Sequence, residues 1–254
     1  MLRENKIFSG SLYELQSNKL LISTLNAHCY NLTRGDTYYR EALQNSDVLI
    51  PDGISVVWAV RWLTGQKLKK IAGADLFNYE MERMESEVRS QKSEEKGRVE
   101  GTGVGKGGKV FFLGSTEETL AKILERAAKE YPNVEVGTYS PPYKPEFSEK
   151  DNAAMIAAVN AFKPDVLFVG MTAPKQEKWA YKNFEQLEVG HVCCIGAVFD
   201  FYAGTINRAP QWMLRLGLEW FYRLVKEPKR MWRRYLIGNT KFIYYVLREK
   251  FFAK

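Results

Sequence analysis

Between residues 109 and 198, short apolar runs alternate with polar segments of helical spacing, and this constrains the fold more than any other feature. Val110-Phe111-Phe112-Leu113 and Val166-Leu167-Phe168-Val169 contain no polar residue. Strands apolar on both faces belong in a parallel sheet covered by helices. Strands are expected at 109–113, 134–139, 165–170 and 191–198, and helices at 116–131, 151–162 and 175–183. Upstream, 19–29 reads as a strand running into a polar turn at Thr24 and Asn26, and 47–50 as a second strand. Helices are expected at 37–44, 54–63 and 74–89. Trp58 and Trp62, four residues apart, read as core-facing. Strand-helix-strand units connect with one hand, so the expected fold class is α/β: a Rossmann-like parallel sheet flanked by helices.

Two stretches interrupt this pattern. Residues 90–108 are charged and glycine-rich, but they follow a helix and precede a strand, the reverse of a phosphate-binding loop. They read as a flexible inserted loop. From Arg208 to the end the sequence is helical, basic and aromatic, with Pro228 and Gly238-Asn239 dividing it into about three helices. The expected organisation is an α/β domain at 1–207 and a C-terminal helical appendage at 208–254.

The net charge of +7 is concentrated in that tail. From Thr205 onward there are 12 Lys and Arg against 3 Asp and Glu, an excess of +9 that leaves −2 for the rest. Eleven of the 34 aromatic residues lie from Arg208 on. Cations interleaved with Trp, Tyr and Phe suit an anionic membrane surface. The same charge would attract nucleic acid, but no nucleic-acid module is present, so that partner is not expected. Three cysteines, two of them adjacent, build no disulfide framework. Two histidines and no CxxC spacing give no expectation of a metal site. No stretch has the length and apolarity of a spanning helix or a signal peptide. The expected location is cytoplasmic.

Val48-Leu49-Ile50-Pro51-Asp52-Gly53 places a carboxylate on a stiff turn at the end of a strand. Asp52 either caps the following helix or faces a ligand, since open α/β sheets bind ligands outside the carboxyl ends of their strands. Thr24, Asn26, Gly114-Ser115, Thr172 with Lys175-Gln176-Glu177, and Asp200 also follow strands. Their glycines suit a phosphate-bearing ligand near backbone N–H groups.

Thr24-Leu25-Asn26-Ala27, Pro51-Asp52-Gly53, Phe112-Leu113-Gly114-Ser115, Ala173-Pro174-Lys175-Gln176-Glu177, Gly196-Ala197-Val198-Phe199-Asp200 and Arg208-Ala209-Pro210 resemble, in order, the WecG/TagA/CpsF glycosyltransferases. So do Leu218-Glu219-Trp220-Phe221-Tyr222-Arg223-Leu224 and Glu227-Pro228-Lys229-Arg230, and the resemblance runs almost throughout from Leu20. It implies an inverting transfer of N-acetylmannosamine, or its uronic acid, from a UDP donor. The acceptor would be undecaprenyl-diphosphate-linked GlcNAc, in cell-surface polysaccharide or teichoic acid synthesis. With that lipid-linked acceptor, the expected location becomes peripheral on the inner face of the cell membrane. Asp52 matches the family's general base, Thr24 and Gln176 its other catalytic-pocket residues, and Asn26 and Asp200 positions near the nucleotide and sugar. Gly114, Ser115, Tyr143 and Lys175 are further substrate-binding candidates. Arg223, Arg230 and Arg233 match tail arginines brought over the active site. No DxD triplet is present to hold a divalent metal, so these arginines are expected to stabilise the leaving diphosphate. No cofactor is expected, and a homo-oligomer is a further possibility that the resemblance raises. A competing reading is a non-catalytic nucleotide-sugar-binding membrane scaffold. An NAD enzyme is excluded, because no G-x-G-x-x-G follows the first strand.

Overall fold

A computed structural model describes residues 2–3, 7–15, 19–95 and 108–252 of the chain. In chain order its principal elements are β1 (Leu20–Leu25), α1 (Ala27–Leu32), α2 (Thr37–Gln44), β2 (Val48–Pro51), α3 (Ile54–Thr64) and α4 (Gly73–Glu95). Then come β3 (Lys109–Gly114), α5 (Glu117–Glu130), β4 (Glu135–Tyr139), α6 (Glu149–Phe162), β5 (Val166–Gly170), α7 (Lys175–Asn183), β6 (His191–Cys194) and α8 (Val198–Tyr202). The tail forms α9 (Gln211–Arg215), α10 (Glu219–Lys226), α11 (Pro228–Trp232), a π-helical turn (Arg233–Ile237) and α12 (Gly238–Phe251).

The strands make a six-stranded parallel sheet in the order β2-β1-β6-β5-β3-β4. The expected α/β class and parallel sheet are therefore found. β3 and β5 pair from Val110 with Val166 to Gly114 with Gly170, both runs being buried throughout their centres. That is why their sequences could be apolar without alternation.

The chain divides into two compact units. One holds residues 12–22 and 73–206, with β3–β6 and α4–α8. Its core clusters Phe111, Leu113, Leu167, Val169, Val192 and Cys194 of the strands with Met155, Val159, Trp179 and Ala180 of α6 and α7. The other holds residues 1–11, 23–72 and 207–254, with α1–α3, β2 and the tail helices. There α12 turns Phe242, Val246 and Glu249 inward at helical spacing. The Phe242 ring meets Tyr30 of α1 edge-on at 5.2 Å, and Tyr30 Oη donates to Glu249 Oε2 at 2.6 Å.

Several expectations need correction. α1 was not foreseen; Asn26 starts it by accepting from Cys29 N at 3.0 Å through its side-chain oxygen. The stretch expected as a loop from 90 is helical through Glu95, and 96–107 lie outside the described residues. The last strand stops at Cys194, because Gly196 turns the chain with φ +55° and Val198–Tyr202 is helical. Gly238 does not divide the tail: α11, the π-turn and α12 follow one another without a break. Trp58 and Trp62 are not core residues but 66% and 44% exposed. α3 is apolar nearly all round, and its buried face is made by Val56, Val57, Val60 and Leu63.

Candidate active site

In the unit containing the tail, the ends of β1 and β2 are tied together where Asp52 N donates to Leu25 O at 2.9 Å. The N-cap of α3 is Gly53, which sits at φ +121°, a conformation that an L side chain rarely adopts. Asp52 is therefore not the cap residue. Asp52 is half-buried, and its carboxyl accepts a hydrogen bond from the Asn26 side chain. Asn26 thus works twice, capping α1 and holding Asp52. Burial pushes the Asp52 carboxyl up to about 6, and the negative charge of Glu219 on α10 adds to the rise. Lys70, Asn26 and Arg234 pull the other way. A carboxylate at about 6 is ionised at neutral pH yet more basic than an ordinary aspartate, which suits proton abstraction from a hydroxyl. Thr24 is buried on β1, two residues before Asn26.

Of the three tail arginines named from the sequence, Arg230 is exposed and pairs with Glu227 at 2.7 Å. Arg233 is exposed and lies over the Trp232 ring at 5.2 Å. Arg223 on α10 is half-buried. The arginine whose charge reaches Asp52 is its neighbour Arg234, in the π-turn, a feature found often at functional sites. Arg234 Nε is buried without a hydrogen-bond partner among the described residues. Its charge is also felt at His28 on α1, where burial first and then Arg234 hold the imidazole down at about 4. Asn31 Nδ2 of α1 anchors the turn by donating to Gly238 O at 2.7 Å. His28, Lys70 and Arg234 were not picked out from the sequence, and Glu219, though inside a quoted motif, was given no role. Arg234 had one visible signal, a second arginine beside a motif arginine.

In the other unit, the end of β3 is a strained turn. Gly114 takes φ +126°, and a Cβ there would lie 2.5 Å from Gly170 O on β5. Gly170 is closed in turn by the Phe199 ring, 2.5 Å from where its Cβ would be. Close strand and ring packing accounts for both glycines. Ser115 follows with φ +60°, and its carbonyl accepts from Ser140 Oγ at 2.9 Å, joining the β3 and β4 turns. Tyr143, on the proline-rich segment after Ser140, is fully exposed. Lys175 Nζ donates to Lys144 O and sits 3.7 Å from the Phe147 ring centre, so it clasps that segment to the start of α7.

Gln176 is buried and its amide is fixed. Met171 N donates to its Oε1 at 3.2 Å, and its Nε2 donates to Glu177 Oε1 at 2.8 Å. Glu177 is itself buried, which pushes its carboxyl up to about 7, and its Oε2 has no hydrogen-bond partner among the described residues. Asp200 lies in the first turn of α8 rather than at a strand end, and its carbonyl accepts from Thr205 N and Ile206 N. Among the described residues, no three His, Cys, Asp or Glu side chains are grouped to hold a metal ion, and no helix is long and apolar enough to cross a membrane.

The sequence model of the glycosyl transferase WecG/TagA/CpsF family matches residues 9–91 and 102–254. The internal gap between the two matched segments, 92–101, falls inside the 90–108 stretch. A protein of Bacillus subtilis (strain 168) named N-acetylglucosaminyldiphosphoundecaprenol N-acetyl-beta-D-mannosaminyltransferase is 30% identical over 231 residues, 91% of this chain and 80% of its own length. Proteins of the same name from Bacillus spizizenii and Staphylococcus aureus (strain MW2) are 29% and 26% identical. The matches cover 84% and 92% of this chain, and 72% and 82% of theirs.

Proposed function

The chain belongs to the glycosyl transferase WecG/TagA/CpsF family, and on that premise we propose that it transfers N-acetylmannosamine from a UDP donor to undecaprenyl-diphosphate-linked GlcNAc. The acceptor and the sugar are those in the names of its relatives. Asp52 is the general base. As the acceptor hydroxyl oxygen bonds to the anomeric carbon, the carbon–oxygen bond to UDP breaks, the electron pair leaves with the diphosphate, and the hydroxyl proton passes to Asp52. Attack from the face opposite the leaving group inverts the anomeric centre. The single observation that carries this reading is the Asp52 carboxyl, fixed by Asn26 at the end of β2 and raised to about 6 by burial and Glu219.

Thr24, Asn26 and Gln176 take up substrate groups in this reading, as do Gly114, Ser115, Tyr143, Lys175 and Asp200. Arg223, Arg230 and Arg233 stabilise charge on the departing diphosphate without a metal, because guanidinium forks pair well with phosphate oxygens. The excess of basic and aromatic residues in 208–254 attaches the protein to the anionic face of the membrane holding its acceptor. Removing the tail is not a clean test, because Phe242, Val246 and Glu249 are buried in their unit. Point variants serve instead. Alanine at each of the three arginines should lower turnover with unchanged circular dichroism, and the product linkage, read by NMR, should be β. Full activity in all three variants would remove the arginines from the mechanism, and an α product would remove the inverting base.

A further inference from the structure

The exposed tryptophans of α3 and the outer face of α12 form a second feature that the transfer chemistry does not use. α12 is apolar on two sides. Its inner row packs against α1, but Ile243, Tyr244, Leu247 and Phe251 are 41–68% exposed and follow one another at helical spacing. Trp62 of α3 meets Phe251 edge-on at 6.0 Å. Lys250 Nζ donates to Trp62 O at 2.9 Å and lies over its ring. Trp58, one turn earlier, is 66% exposed. The two helices therefore share an exposed apolar strip.

The exposed charges that α3 and α12 themselves carry are of one sign. Arg61 on α3 and Lys241 and Arg248 on α12 are exposed. α3 contains no acid, and the only acid of α12, Glu249, is buried and bound to Tyr30. A protein partner with ordinary mixed charge would find no acceptor for its own cations here. Indole rings framed by lysine and arginine, with no exposed carboxylate on either α3 or α12, match the boundary between acyl chains and anionic headgroups.

We infer that Trp58 and Trp62 of α3, together with the Leu247–Phe251 end of α12, form a surface that enters the headgroup boundary of an anionic bilayer. Membrane contact then extends beyond the tail to the helix that begins immediately after Asp52-Gly53, which holds the catalytic turn close to the acceptor's own environment. The inference rests on the membrane reading proposed above.

The test uses the full chain and vesicles of phosphatidylcholine and phosphatidylglycerol, some with brominated acyl chains that quench nearby indoles. Bromolipid should quench the wild type, and Trp58→Phe/Trp62→Phe should remove a distinct part of that quenching. Trp58→Ser/Trp62→Ser should weaken vesicle binding at least about tenfold, while transfer to a short-chain soluble acceptor without vesicles stays unchanged. Undiminished binding, with the same quenching in the phenylalanine variant, would overturn the inference and leave the tail reading standing. Failure of the wild type to bind any vesicle would overturn both. A dimer in sedimentation that the serine variant turns to monomer, with vesicle binding unaffected, would assign the strip to a second copy and overturn the bilayer assignment.

Discussion

Replacing Asp52 by asparagine should inactivate the protein and stabilise it, with a pH dependence that identifies the cause. The carboxyl rises from an ordinary 3.8 to about 6 on folding. Its proton is held more tightly in the folded state, so the unfolded state releases it first as pH rises. Stability therefore falls between about pH 4 and 6 and is level above that range. A shift of this size corresponds to about 3 kcal/mol in full, at 1.36 kcal/mol per pKa unit. Asparagine resembles the protonated carboxyl, fills the same space, and can still accept the Asn26 hydrogen bond through its carbonyl oxygen. Urea unfolding followed by circular dichroism at half-unit steps from pH 4.5 to 8 should show Asp52→Asn gaining on the wild type up to about pH 6. The difference should then settle at roughly 2–3 kcal/mol. A difference that does not change with pH would show that Asp52 titrates normally, and would remove the physical ground for its role as base.

Arg234→Met should move the acid limb of the kcat/KM profile above pH 6 by less than about one unit, because the cation holds Asp52 down. The same variant should raise the pKa of His28 from about 4, visible by NMR since the chain has only two histidines. Gly114→Ala should cost roughly 2–4 kcal/mol in urea unfolding, because the added methyl meets Gly170 O in a backbone conformation closed to alanine. Glu177→Gln should leave stability near wild type at pH 4.5 and raise it by about 1–3 kcal/mol at pH 8. At pH 4.5 the buried carboxyl is protonated in the folded state and about half protonated in the unfolded one, a difference worth only a few tenths of a kcal/mol, whereas above about 7 it must ionise without a partner for Oε2.

The parallel sheet was legible because β3, β5 and β6 are buried on both faces, and burial on both faces leaves an apolar run with little competing explanation. α1 was not legible, since six residues are too few for periodicity and its start depends on one side chain of Asn26. The tryptophans of α3 misled for a related reason. In a helix apolar nearly all round, spacing reports a face without saying which face is buried. Gly238 reads as a breaker, yet here a Cβ would find nothing nearer than 3.7 Å and the helix passes through. In the site, Asp52 and Asn26 were visible as polar residues ending strands. Lys70, Glu219 and Arg234 act on Asp52 only through the folding that brings distant segments together. The contacts of Lys175 with Lys144 O and the Phe147 ring likewise join segments about thirty residues apart and leave no mark in the local sequence.

In the proposed reaction Asp52 serves as the base of a metal-independent sugar transfer from a UDP donor. The most direct measurement is UDP release from a panel of UDP-sugars, with a GlcNAc-diphosphate lipid analogue and EDTA present, comparing wild type with Asp52→Asn. The expected result is acceptor-dependent release from UDP-N-acetylmannosamine by the wild type, rising through about pH 6 and lost in the variant. Full activity in the asparagine variant, or activity that EDTA abolishes in the wild type, would contradict it.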